Sequence, residues 1–220
     1  MSVQTAIDCA LVLVMLLNVG MLGVSRLVSG VRLFALQSLL LAFLPLAAEG
    51  LEGESLGVHG LVIALGTIAI KVIVIPHILL RIIRTGEVHR EVEPFIGFTA
   101  SVFVGALLVI GSFAVATRLP LPAAPASTLI VPVALATLLL GLFTLVSRLK
   151  AITQVLGFLV LENGVFILGL LLVKQMPLLV ELGILLDLFV GVFIMAIVVY
   201  QIRREFDPMD THLRGSLTES

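Results

Sequence analysis

The chain has 220 residues with a formal net charge of −1; 60% of them are hydrophobic and 12% charged, and the mean hydropathy is +1.26. Soluble domains hold about 45–50% apolar and about 25% charged residues, so the surplus apolar material has to face lipid. The near-neutral charge points to neither nucleic acid nor acidic substrates. A single cysteine, Cys9, excludes an intrachain disulfide framework and cannot hold an iron–sulfur cluster alone, and the four histidines lack zinc spacing. Any redox chemistry therefore belongs to a partner.

The N-terminal run MSVQTAIDCALVLVMLLNVGMLG has no basic n-region and no clear cleavage site, so it reads as a first membrane span rather than a signal peptide. Apolar runs of about 17–25 residues mark spans at roughly 3–24, 32–48, 59–83, 95–117, 127–147, 151–173 and 179–202. The second is the shortest. Only Ser147-Arg148-Leu149-Lys150 separates the fifth from the sixth. Continuous Leu-rich runs favour helices over a barrel, whose strands would alternate apolar and polar residues. The expected fold is thus an all-α integral membrane protein of about seven transmembrane helices.

Orientation follows from the basic residues, which concentrate in cytoplasmic loops. Arg26, Arg32, Arg81, Arg84, Arg90, Arg148, Lys150, Arg203, Arg204 and Arg214 fall on one side of a seven-span topology, ten of the thirteen Lys and Arg. Arg118 and Lys174 fall on the other, and Lys71 lies within a span. The N-terminus is expected outside and the C-terminus in the cytoplasm. Glu49, Glu52 and Glu54 crowd the second loop, LPLPAAPAST forms a Pro-rich fourth loop, and the tail after Arg204 is polar. All three read as solvated connections or an extended end.

Ionisable groups at mid-bilayer cost on the order of 2.5–3.5 kcal/mol each on insertion scales. The candidates are Asp8 and Asn18 in the first span, Gln37 in the second, and Lys71 and His77 in the third. The sixth adds Glu162 and Asn163, and the seventh adds Glu181 and Asp187. Lys71, Glu162 and Asp187 lie deepest. Desolvation disfavours the charged form of a lysine or a carboxylate, which suits a group to take up and release protons. A lysine–carboxylate pair would instead keep both charged and lock two helices together. Both readings stand on the residues alone. Pro76, five residues after Lys71, is expected to disturb the backbone around Val72, either kinking the helix or shaping its packing. His77 is either a proton carrier or a hydrogen-bonded structural residue. Gly164 and Gly169 allow a neighbouring helix close to Glu162.

A weak internal echo sets the second span against the sixth, Gln37 opposite Glu162, and the third against the seventh, Lys71 opposite Asp187. It suggests a three-helix unit at 1–90, a linking helix and Pro-rich loop at 91–126, a second three-helix unit at 127–204 and a tail at 205–220.

The segments LENG, VELGILLDLFVGVFIMAIV, IKVIVIPHILL and FALQSLLL, with the tight fifth loop, resemble the hydrogenase-4 component E family. These are membrane subunits of formate-hydrogenlyase-type, group 4 nickel–iron hydrogenases. The last three spans are also similar to the K-type subunit of complex I and the C-type subunit of Mrp antiporters. In those subunits membrane acids sit in the second and third helices; Glu162 matches the first position and Asp187 the second, an aspartate where complex I typically has glutamate.

The resemblance implies a non-catalytic subunit of the prokaryotic plasma membrane that binds no cofactor itself, with the nickel–iron centre and iron–sulfur clusters in soluble partners. Antiporter-like and quinone-site-like membrane subunits would lie beside it. Glu162 and Asp187 would be proton-relay carboxylates and Lys71 a matching charge; His77, Gln37, Asn163, Glu181 and Asp8 are secondary candidates. Another complex I-like or Mrp-like assembly, or a purely structural scaffold, are the alternative readings.

Overall fold

The computed structural model describes residues 3–51, 58–85, 95–119 and 127–172. They form α1 (Val3–Gly23), α2 (Leu27–Leu51), α3 (Val58–Thr67), a π-helical segment (Ile68–Val74), α4 (Ile75–Thr85), α5 (Phe98–Ala116), α6 (Ile130–Ser147) and α7 (Ala151–Leu172). There is no β-strand among the described residues. Among the described residues six helices are long and apolar enough to cross a membrane, the third running continuously from α3 through the π segment into α4. The expected seventh span, with Glu181 and Asp187, lies outside the described residues.

Two boundaries differ from the sequence expectation. The second span is not short: α2 begins at Leu27 and runs for 25 residues. The first connection shrinks to Val24-Ser25-Arg26, and Arg32 sits inside α2, exposed on its surface. Hydropathy alone placed the boundary at the arginine. A helix whose first turns hold Arg32 on an outward face has no need to break there, because a long side chain near a helix end reaches the interface.

α1 buries one stripe, whereas α6 is enclosed on most sides. Along α1 the enclosed residues are Ile7, Leu11, Val14, Asn18 and Leu22, at helical spacing of three or four. Ile7, Leu11 and Val14 meet Leu41 and Leu44 of α2, Ile130, Val133 and Ala134 of α6 and Ile167 of α7 in one apolar cluster. The first and second halves of the chain therefore interleave, with α1 against α6 and α2 against α7. α5 is peripheral. It turns Ser101, Gly105 and Ser112 inward and leaves Phe103, Leu107 and Ile110 exposed. Helix association in lipid works through small residues and backbone approach rather than through burial of large apolar ones.

The tightest packing joins α6 and α7. A Cβ on Gly141 would collide with the Leu161 backbone, one on Gly157 would stand 2.6 Å from the Leu145 nitrogen, and one on Gly164 2.6 Å from the Leu138 nitrogen. Gly157 and Gly164 are seven residues apart, two turns on one face, so two backbones touch along most of the hairpin. Gly164 fulfils the expectation of close packing beside Glu162. Gly169 does not: a Cβ there would meet nothing within 4 Å. Gly164→Ala should therefore lower the stability of the full chain in detergent by about 1–3 kcal/mol, as overpacking does. Gly169→Ala, which adds only helix propensity, should leave it unchanged or raise it by up to about 1 kcal/mol. Thermal unfolding of the two variants checks the contrast.

Candidate functional site

The deepest charges in the described bundle meet. Lys71, on the π segment, and Glu162, the twelfth residue of α7, are 3.5 Å apart from Nζ to Oε2, with side chains 3% and 4% exposed. The Lys71 ammonium also donates to Asn163 Oδ1 at 3.2 Å, and the Asn163 amide donates to Ser38 Oγ of α2 at 3.3 Å. Phe166 lies one turn beyond Glu162 with its ring centroid 6.0 Å from Nζ, the outer limit of a cation–π contact. One face of α7 thus offers Lys71 a carboxylate, an amide oxygen and an aromatic ring. A chain of side-chain contacts runs from the third span through α7 to α2.

The local backbone accounts for Lys71's position. The Ile75 N–H reaches back to the Ile70 carbonyl, a five-residue step. The next residue, Pro76, has no N–H and disfavours the ordinary register one turn back. The expected disturbance around Val72 is therefore a widened stretch, Ile68–Val74, with Lys71 within it. One additional residue in a helix rotates the succeeding turns by about 100°. π-Helical stretches are rare and concentrate at functional sites. Pro76 itself is buried.

The remaining candidates are scattered. Gln37 is fully buried on α2, next to Ser38. His77 is exposed on the outer face of α4, with no part in the cluster. Asp8, near the start of α1, accepts a 2.5 Å hydrogen bond from Ser127 Oγ, and that oxygen also receives the Leu129 N–H. This ties the beginning of α1 to the beginning of α6. Asn18 donates to Thr137 Oγ1 at 2.8 Å, whose hydroxyl back-bonds to the Val133 carbonyl. Glu181 and Asp187 lie outside the described residues.

Sequence reasoning missed Ser38, Phe166 and above all Arg148. Counted as a loop charge, Arg148 is 2% exposed. Its Nη2 donates to the Leu22 carbonyl at 2.8 Å, near the C-terminus of α1, where the helix dipole favours a cation. Its guanidinium lies 4.7 Å from the Phe98 ring centroid of α5. Its own carbonyl accepts from the Gln154 amide at 2.9 Å. One arginine thus joins α1, α5, α6 and α7 at a single end of the bundle. The residue types carried no signal for it: Leu149, next to it in the same turn, is 49% exposed.

Among the described residues, no three of His, Cys, Asp and Glu gather as a metal site would require. The Lys71–Glu162 cluster instead sets an ammonium and a carboxylate side by side, both enclosed by the bundle.

The sequence matches no family model and no solved structure. It is 32% identical over 182 residues, 82% of this chain and 81% of the relative, to the uncharacterized protein Rv0085 of Mycobacterium tuberculosis. It is 29% identical over 142 residues to hydrogenase-4 component E of Escherichia coli K12, and the Shigella flexneri counterpart aligns to the same extent. That alignment covers 64% of this chain and 66% of the relative, just under two thirds of its length.

Removing one partner of a buried ion pair leaves an uncompensated charge and typically costs about 3–5 kcal/mol. Lys71→Met and Glu162→Leu should each destabilise the chain by that order, and the double variant should regain much of the loss. A double-mutant cycle on thermal unfolding in detergent measures the coupling. Arg148→Lys keeps the charge but loses the planar fork and ring stacking. It should lower the unfolding temperature, whereas Arg32→Lys, on an exposed face, should not.

Proposed function

We propose that this chain, which belongs to the same family as the mycobacterial protein Rv0085, is a non-catalytic membrane subunit of an energy-converting nickel–iron hydrogenase complex. In this role it contributes buried charges to the translocation of protons, or of another cation, coupled to electron transfer. The observation that carries the reading is the mid-membrane Lys71–Glu162 pair, in a sequence that aligns with hydrogenase-4 component E. Six apolar helices support a multi-pass subunit of the prokaryotic plasma membrane. The basic-residue bias supports an outer N-terminus and a cytoplasmic C-terminus. Soluble partners would carry the nickel–iron and iron–sulfur centres, and antiporter-like and quinone-site-like subunits would lie alongside in the membrane.

The pair suits a relay because its proton has two places to be. A charge arriving on a neighbouring subunit favours one place over the other, and Asn163 keeps the ammonium aligned in the charged form. Asp187 would supply the next carboxylate. A soluble arm of another complex I-like or Mrp-like kind would use the same membrane chemistry. Nickel-binding CxxC motifs in neighbouring reading frames discriminate the two.

A side chain that carries protons and one that only holds helices together differ under Glu162→Gln. The glutamine oxygen still accepts from Lys71, so this variant preserves more of the packing than Glu162→Leu. Complexes purified from membranes should assemble with Glu162→Gln while proton translocation in vesicles falls at least tenfold, and Asp187→Asn should behave likewise. Loss of assembly with no uncoupled species would identify the pair as a clamp, and a fully active double variant would overturn the relay.

A further inference from the structure

Gln37 is 0% exposed, and neither its Nε2 nor its Oε1 has a hydrogen-bond partner among the described residues. A primary amide carries two donors and two acceptor lone pairs, and buried polar groups in native proteins are almost always satisfied by protein or by ordered water. Leucine would fit the same stripe of α2, between Phe34 and Leu41, without that demand. The neighbouring residue, Ser38, accepts the Asn163 amide and so ends the chain of contacts from Lys71. On the adjacent helix α1, Asn18 Oδ1 is a second buried acceptor with no partner among the described residues. Counted from the ends of α2 and α7 that adjoin Arg26 and Lys150, Gln37 and Glu162 are the eleventh and twelfth residues of their helices. At 1.5 Å per residue they lie at nearly the same depth.

We propose that Gln37 holds ordered water inside the bundle, a buried hydration site at the level of the Lys71–Glu162 pair. The ligand is water, bound by an amide that donates and accepts at once. Buried waters make two to four hydrogen bonds to otherwise unsatisfied groups, and the Gln37 amide offers both unmet donors and unmet acceptors for them. Such a site puts a group able to pass a proton at the depth of the ion pair, which an apolar α2 could not. The hydration stands on the geometry of α2. Its use in transport rests on the function proposed above.

The test is X-ray hydroxyl-radical footprinting of the intact complex in native membranes, read by mass spectrometry at two equally enclosed leucines. Leu41, one turn beyond Gln37 on α2, is 1% exposed, and Leu11, in the same apolar cluster but on α1, is 0% exposed. Radicals form where water is held, so Leu41 should be oxidised at least fivefold faster than Leu11. Gln37→Leu should bring Leu41 down to the Leu11 rate, while Gln37→Asn, which keeps the amide, should hold it within twofold of wild type. Equal rates at Leu41 and Leu11 in wild type, or labelling unchanged by Gln37→Leu, overturn the site. If Gln37→Leu does not accumulate, the wild-type comparison decides. The same Gln37→Leu complex should translocate protons about tenfold more slowly. Lost labelling with full translocation would leave the hydration site standing and remove the relay role.

Discussion

A full charge inside an apolar bundle requires an opposite charge within a few ångströms, and the arrangement of the described helices around Lys71 reflects that requirement. Lys71 can sit 2% exposed because α7 brings Glu162, Asn163 and Phe166 to its ammonium. α7 can do so because its glycines seat it backbone to backbone on α6, which fixes the height and rotation of Glu162. α6 is in turn held at one end by Ser127 to Asp8, at mid-depth by Thr137 to Asn18, and at the other end beside Arg148. Polar contacts appear at three levels, with apolar packing between them.

The two sides of the ion pair are built differently. Glu162 belongs to the most tightly packed pair of helices, where glycines leave no room for a side chain between the backbones. Lys71 belongs to a widened segment that precedes a proline and has lost the ordinary register. One member is held by steric contact, the other by a helix whose hydrogen bonding has already departed from the regular pattern. If either moves, it is the lysine, because a π-helical turn can return to α by shifting one residue.

Much of this was legible from residue types. The spans, the depth of Lys71 and Glu162, the influence of Pro76 and the closeness at Gly164 all derive from hydropathy, position and side-chain size. Rotation about the helix axis could not be read. In a membrane helix both faces are apolar, so no amphipathic period shows which side turns inward. His77 consequently carried the same signal as Lys71 yet faces outward, and Gly169 the same signal as Gly164 yet meets nothing. Arg148 failed for another reason. A loop charge is assumed to be solvated, and only the three-dimensional closeness of Leu22 and Phe98 makes the interior its better environment. The start of α2 failed because hydropathy treats an arginine as an end, whereas the helix carries Arg32 on its surface.

The distance along the chain between the paired residues has a consequence for synthesis. Asn163, beside Glu162, comes 92 residues after Lys71, so at about 5–20 residues per second the lysine emerges roughly 5–20 s before its counter-ion exists. Among the described residues five spans, the third of them carrying the lysine, precede α7 in the chain. The four-carbon stem allows the ammonium to reach toward the headgroups during that wait. Because α6 and α7 are joined by three residues and meet along their glycines, they can insert as one hairpin and deliver the carboxylate already backed by a rigid wall. The pair can therefore form only once α7 has been made, late in the synthesis of the described helices.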